Sequence, residues 1–436
     1  MSNLPNKNMY IYFRNAIIYL FVTTIFLHFL KSSTPLYYVI LLGLFFLLLF
    51  LTLLNKNFLS IYTDNTFIFL IFVFYLIFSA IWSFTTIGIL FNGSNVGIID
   101  IIIGIGNMLI IPLSLFFILN LAEKKETIIN IILIFIMFVC LGALSMILQY
   151  FVGDIGLFGE GYARFGGYSR YGEVGLSYSS ILGAPTVYGS VFFLPLILCF
   201  TYFKKNILLN FLIILILIAG LYLSTSKAGI LNLLITLLLL IIFLNFKQKI
   251  LLIVFMLLAS IMLVYFLPEI FSSGIVIFSN TFGIDIGDVE YSRGLYSPIL
   301  EKGIQRFTGY PWINNSPQYS EFLFGFGVIG PGGIFGTNFR ASSHNAILDL
   351  YQIGGIFLPI IFILLYLSTQ YYLLKFYLFS KDQMSLSLFI CNIPFLINMF
   401  VHAGAIFHPY VSFIFYVSII YVSTHQKIVI KKYKAL

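Results

Sequence analysis

The sequence predicts an all-α, polytopic integral membrane protein with about twelve transmembrane helices and a large extracytoplasmic loop. Three observations carry that reading. Of the 436 residues 61% are hydrophobic, the mean hydropathy is +1.05, and the 9% that are charged fall mostly between long apolar runs. A soluble domain is about 45–50% apolar. A hydrocarbon core about 30 Å thick needs roughly 20 apolar residues per helix, and runs of that order recur along the whole chain, so residues 1–436 read as one transmembrane domain.

In order, the charge-poor runs lie near 10–30, 35–54, 66–83, 98–121, 127–150, 181–203, 207–224, 229–246, 250–268, 344–374, 384–402 and 409–424. The first has no small-residue cleavage site and leads almost directly into the second, which marks it as a retained helix and not a signal peptide. No internal repeat and no low-complexity tail is visible. Two longer connections remain, 151–180 and 269–343. The second is too long for a structureless link and is expected to carry short helices. One is expected over 297–307, "SPILEKGIQRF", with Ser297 as N-cap, Pro298 at the first helical position and Glu301 in the first turn. Its apolar residues form a stripe that suits a membrane surface.

Charge sets the orientation. Counted on alternate sides, 15 of the 23 basic residues fall on the side of both termini; the other 8 are Lys31, Arg164, Arg170, Lys227, Arg293, Lys302, Arg306 and Arg340. By the positive-inside rule both termini are cytoplasmic and the two long loops lie together outside. Five of the six arginines are on that outer side, where topology alone disfavours them. Arginine suits planar, bidentate contacts to phosphate or carboxylate, so the outer face reads as an anion site. The basic residues form no continuous stripe, and a nucleic-acid partner is not expected. Cys140, Cys199 and Cys391 sit inside apolar runs, far apart, and read as core packing.

The stretch "RASSHNAILDLYQIGG", Arg340 to Gly355, places a histidine where a long apolar run begins. With Ser342 or Ser343 as N-cap, His344 falls in the first helical turn, where the helix dipole disfavours imidazolium. A ring kept neutral there can accept a proton as a general base. Alone, it could equally be a boundary histidine bonded to a loop carbonyl. Asn345, Asp349 and Gln352 add a polar face to the same helix, either lining a pocket or bonding to a neighbouring helix. The preceding run, "FLFGFGVIGPGGIFGTNFRASS", is too rich in glycine for a helix; it is a tight turn or a backbone that approaches a ligand.

Three further segments carry polar chemistry. In "LSTSKAGIL" Lys227 stands among hydroxyls, as a phosphate ligand or as a snorkelling lysine. In "GEGYARFGGYSRYGEVGL" Arg164 and Arg170 stand among Tyr162, Tyr168 and Tyr171, as a charged-glycan site or as an interfacial aromatic belt. The acidic run with Asp285, Asp288 and Glu290 lacks the alternating oxygen ligands of a calcium loop and reads as solvated surface.

The order "ARFGGY", "GAPTVYGSVFFL", "STSKAGIL", "GFGVIGPGG" and "SSHNAILDLYQIGG" resembles the O-antigen ligase and polymerase superfamily over roughly residues 160–365. The superfamily's Ser-x-Ser-Arg-like turn ends here in Lys227, a cation without the planar fork. The resemblance implies a GT-C-like membrane glycosyltransferase of the bacterial cytoplasmic membrane, inverting and metal-independent, with no cofactor. Its donor would be a glycan on undecaprenyl pyrophosphate, transferred on the outer face onto the sugar hydroxyl of another lipid-linked repeat unit. His344 would take the acceptor proton, and Arg164, Lys227, Arg306 and Arg340 would hold the pyrophosphate, with Arg170, Arg293 and Asn345 as further substrate contacts. Only His344, Arg164 and Lys227 match motif positions. Membrane lipid and a chain-length regulator protein are the expected partners. The rivals are a ligase that moves finished chains onto lipid A core and, from another class, a polysaccharide transporter or flippase. The clustering of cations outside and the missing repeat favour the polymerase over the flippase.

Overall fold

The computed structural model of the protein describes residues 7–27, 35–55, 64–86, 90–91, 94–95, 98–152, 168–169, 176–177, 180–183, 185–203, 206–224, 226–266, 323–325, 327, 329–330, 333–334, 346–401 and 406–434. Lipid offers the backbone no hydrogen-bond partners, so spanning segments of this composition are driven into helices. The helices are α1 Lys7–Phe26, α2 Pro35–Leu54, α3 Asp64–Trp82, α4 Ile98–Leu121, α5 Lys125–Val152, α6 Pro185–Gly189, α7 Phe193–Thr201, α8 Ile207–Ser224, α9 Lys227–Phe243, α10 Phe246–Phe266, α11 Ala346–Gly354, α12 Phe357–Ser380, α13 Gln383–Val401 and α14 Phe413–Lys434. A 3₁₀ turn, Ser83–Thr86, extends α3. The strands are two residues long and pair as hairpins: β1 Leu90–Phe91 with β2 Ser94–Asn95, β3 Tyr168–Ser169 with β4 Leu176–Ser177, and β5 Ile329–Gly330 with β6 Gly333–Ile334.

Among the described residues, eight helices are long and apolar enough to cross a membrane, and two shorter apolar helices cover Val187–Thr201 and Ala228–Phe243. The protein is therefore helical and multi-pass. Each apolar run of the sequence contains helix, but two expected spans are interrupted. The run 181–203 divides into α6 and α7, and the run 344–374 into α11 and α12.

Burial sorts the helices. Every residue of α7 is buried, as is every residue of α14 from Phe413 to Thr424. Such all-round burial belongs to a helix surrounded by others: α14 packs on α3, α4, α5, α12 and α13, and α7 on α5, α8, α9 and α13. On α10, by contrast, Ile250, Ile253, Val254, Leu257, Leu258 and Ile261 form an exposed apolar stripe opposite buried Leu252, Phe255 and Ala259. That helical spacing presents hydrocarbon to lipid. Between helices, where apolar burial no longer discriminates against lipid, short polar bonds set the register. Thr66 donates to Ser423 at 3.0 Å, Thr369 to Asn65 at 3.0 Å and Tyr366 to the Asn392 carbonyl at 3.0 Å.

Away from the interrupted helices, one cluster ties four helices together. Asp382 lies in the connection from α12 to α13, which turns through left-handed Lys381 at φ 53°. Its Oδ2 accepts hydrogen bonds from Ser385 at 2.6 Å and Tyr421 at 2.5 Å, with Lys125 Nζ at 3.5 Å and His425 Nδ1 at 3.9 Å. The His425 ring stacks on Phe376 with centroids 4.1 Å apart. Burial pushes the Asp382 carboxyl up, but the two hydroxyls and the nearby Lys125 and His425 outweigh it and hold the group below its ordinary 3.8. A second pair, Arg14 with Glu123 at 2.8 Å, joins α1 to the α4–α5 connection.

The folded pKa of Asp382 lies below the unfolded one, so its contribution is complete above about pH 4 and is lost as the pH falls through the folded value. Asp382→Ala should cost about 2 kcal/mol at neutral pH, since several donors lose one charged acceptor. Thermal unfolding in detergent at pH 7 should show a lower midpoint for the variant, and the gap from wild type should close below pH 4. Equal midpoints at pH 7 would contradict the assignment.

Candidate functional site

The nine residues of α11, "AILDLYQIG", bury Ala346, Asp349, Leu350, Ile353 and Gly354. The helix ends at Gly355, whose φ of +61° is costly for any residue with a side chain. A β-carbon there would lie 2.1 Å from the Leu323 carbonyl oxygen. The space is taken by the start of the glycine-rich segment. Gly327 N–H donates to the Ile353 carbonyl at 2.9 Å, and Gly325 and Gly327 also have positive φ, +69° and +70°. From α3, Trp82 Nε1 donates to the Gly325 carbonyl at 3.1 Å, and the Tyr75 hydroxyl faces the carbonyls of Gly354 at 3.0 Å and Leu323 at 3.3 Å. The broken helix end is thus closed by a backbone loop and two side chains, as helix termini in an apolar interior require. Beyond it, β5 packs on α11 and β6 on α4.

The same helix carries polar groups inward. Asp349, in its first turn, is 1% exposed. Gln352 follows three residues later, about 60° around the helix at 100° per residue. Its Nε2 is buried without a hydrogen-bond partner.

A second node forms where α6 ends and α9 begins. Gly189 sits so close to α9 that an added β-carbon would meet Ser226 Oγ at 2.4 Å and Gly229 Cα at 3.0 Å. Ser226 is the N-cap of α9 and accepts from Gly229 N–H at 3.1 Å. Its hydroxyl thereby satisfies one of the free donors of the helix start. Lys227 is the first residue of α9. Deeper, Asn232 Nδ2 donates to the Gly189 carbonyl at 2.9 Å and to Asn398 Oδ1 at 3.0 Å, while Asn398 Nδ2 reaches the Ser190 carbonyl at 3.3 Å. Two asparagines therefore satisfy carbonyls that the interruption between α6 and α7 releases. Helix α13, which carries Asn398, packs on α7, α9 and α11 and so links the two nodes.

Of the residues singled out in the sequence, Lys227 is placed as the first residue of α9, and Asp349 and Gln352 as neighbours on α11. Arg164, Arg170, Arg293, Arg306, Arg340, His344 and Asn345 lie outside the described residues, as do the serine caps, the 297–307 helix and the acidic run. His344 and Asn345 immediately precede α11 in sequence. Sequence reasoning passed over Asn232 and Asn398, although each is an amide inside an apolar run, the signal that normally marks a helix contact or a site. Cys199 and Cys391 are free and buried, in keeping with a packing role. Among the described residues no three His, Cys, Asp or Glu side chains are grouped as metal ligands. No family model and no curated protein matches this chain.

The docking of the loop on the end of α11 can be tested through Gly355. Gly355→Ala meets both the left-handed backbone and the Leu323 carbonyl, and should cost at least about 2 kcal/mol. Gly43→Ala on α2, with nothing within 4 Å of the added atom, is the control. Thermal unfolding in detergent should show a clear loss for the first and none for the second; wild-type behaviour of Gly355→Ala would contradict the packing.

Proposed function

We propose that the protein is an O-antigen or related surface-polysaccharide polymerase, an inverting glycosyltransferase of about twelve spans. Its termini are cytoplasmic and its active face lies outside the membrane. It joins a glycan carried on undecaprenyl pyrophosphate to the sugar hydroxyl of another lipid-linked repeat unit. One structural observation supports this reading best. The two halves of the most specific motif, the "GFG" of the glycine-rich segment and the "IGG" that ends α11, pack directly on each other through Gly327 N–H and the Ile353 carbonyl. The histidine and asparagine lie between the two in sequence and immediately precede Ala346, the first residue of α11.

In this reading His344 removes the proton of the acceptor hydroxyl. The oxygen attacks the anomeric carbon from the face opposite the leaving group. The bond from that carbon to the pyrophosphate oxygen breaks, inverting the centre and releasing undecaprenyl pyrophosphate. Arg164, Lys227, Arg306 and Arg340, with Arg170 and Arg293 from the same two long segments of sequence as the other arginines, hold the departing negative charge. A general base supplies about 10² to 10⁴ in rate, and each charge-assisted phosphate contact about 1.5–3 kcal/mol. Several cations acting on the leaving group therefore match or exceed the base. Neither a metal nor a cofactor enters the scheme.

The test is His344→Ala, expressed in a host that lacks its own polymerase but keeps its ligase. At matched membrane level, chain extension should fall by about 10² or more. The lipopolysaccharide should carry a single repeat unit where the wild type gives a ladder. Core without any repeat, with long chains held on the lipid carrier, would identify a ligase instead. Lipid-linked single units trapped in the cytoplasmic leaflet would identify a flippase. A normal ladder would refute the assignment of the base.

A further inference from the structure

We infer that Asp349 and Gln352 form the acceptor-sugar subsite of this transferase, with the carboxylate accepting from, and the amide donating to, hydroxyls of the incoming sugar. The inference rests on the transferase reading above. Both residues are on α11, three positions apart, so they stand one above the other on one side of the helix. They begin about 4.5 Å beyond Ala346, the first residue of α11, and His344 precedes Ala346 by two positions. The proposed base and this pair are therefore close in sequence, within nine residues.

The chemistry of the pair selects the ligand. Asp349 is 1% exposed, and a carboxylate sunk this far repels a pyrophosphate, so the donor's anionic linkage does not belong beside it. A metal cation would suit Asp349 but not Gln352, whose unpartnered buried atom is the Nε2 donor and not an oxygen. A polyhydroxyl ligand suits both, because each hydroxyl donates one hydrogen and accepts others. Buried donors in native proteins are nearly always paired, so the Gln352 amide calls for a partner, which a ligand hydroxyl would supply. The surroundings fit a subsite with a closed floor. The helix stops one residue after Ile353, where Gly325 and Gly327 pack against its end, while α3, α12, α13 and β5 pack against α11.

The experiment uses purified protein in liposomes, lipid-linked repeat unit blocked at its acceptor hydroxyl as donor, and as varied acceptor the unblocked repeat unit on a plain alkyl chain, which cannot serve as donor. Gln352→Ala should raise the acceptor KM about tenfold, the equivalent of one lost hydrogen bond of about 1.4 kcal/mol, and leave the donor KM and the unfolding midpoint unchanged. Asp349→Asn should also raise the acceptor KM, while Gln352→Glu, which replaces the donor by a second carboxylate, should behave like Gln352→Ala. Wild-type acceptor KM in Gln352→Ala, in protein whose wild type transfers, would overturn the subsite while leaving the transferase intact. A loss of thermal stability in Gln352→Ala with unchanged acceptor KM would assign the residue to packing. Absence of any transfer by wild type would overturn the transferase reading and the subsite with it.

Discussion

Hydrocarbon offers no partner to a peptide group, and the rest of this structure follows from that constraint. Helices meet it internally, so a chain that is 61% hydrophobic becomes a bundle. Any interruption of a helix must instead be closed by the protein. Here the two interruptions are closed in different ways. The release of Gly189 and Ser190 carbonyls is met by Asn232 and Asn398 from two neighbouring helices. The end of α11 is met by a backbone loop, with Gly327, Trp82 and Tyr75 supplying the bonds. Each interruption adjoins a segment singled out for its chemistry: Lys227 begins the helix against which Gly189 packs, and His344 precedes by two positions the helix that Gly355 ends.

Helices α12 and α13 connect this region to the Asp382 cluster. The turn between them carries Asp382, which binds α13 through Ser385, α14 through Tyr421 and α5 through Lys125. At their other ends α12 meets the Gly355 interruption and α13 carries Asn398 into the second node. A pinned turn at one end leaves the polar, irregular backbone to the other. Helix α14, buried from Phe413 to Thr424, packs on both of these helices and on α3, α4 and α5. Such an arrangement suits a site whose ligands must be held against a rigid wall.

Much of this was legible in the sequence, because apolar length and charge spacing are local properties. The runs that suggested spans contain the helices, and Ser226 and Lys227 stand at a helix start among hydroxyls. The division of 344–374 was harder to read. Its only marker is the Gly354–Gly355 pair, and glycine in an apolar run signals a helix contact as readily as a break. What decides is the Leu323 carbonyl, 2.1 Å from where a side chain would begin, and that neighbour comes from more than 30 positions away. The same holds for Asn232 and Asn398, whose partnership spans 166 residues. Asp349 and Gln352 were visible as a polar face, but the sequence left open whether that face met a pocket or a helix. The unpartnered Gln352 amide favours the pocket.

The proposed transfer breaks a sugar–pyrophosphate bond and makes a glycosidic one. It is tested most directly by the stoichiometry and stereochemistry of the purified protein in liposomes supplied only with the lipid-linked repeat unit. The account predicts one polyprenyl pyrophosphate released for each new glycosidic bond, with the anomeric configuration of the donor sugar inverted in the product. Movement of the intact lipid-linked unit across the bilayer without release of the carrier, or a bond formed with retained configuration, would contradict it.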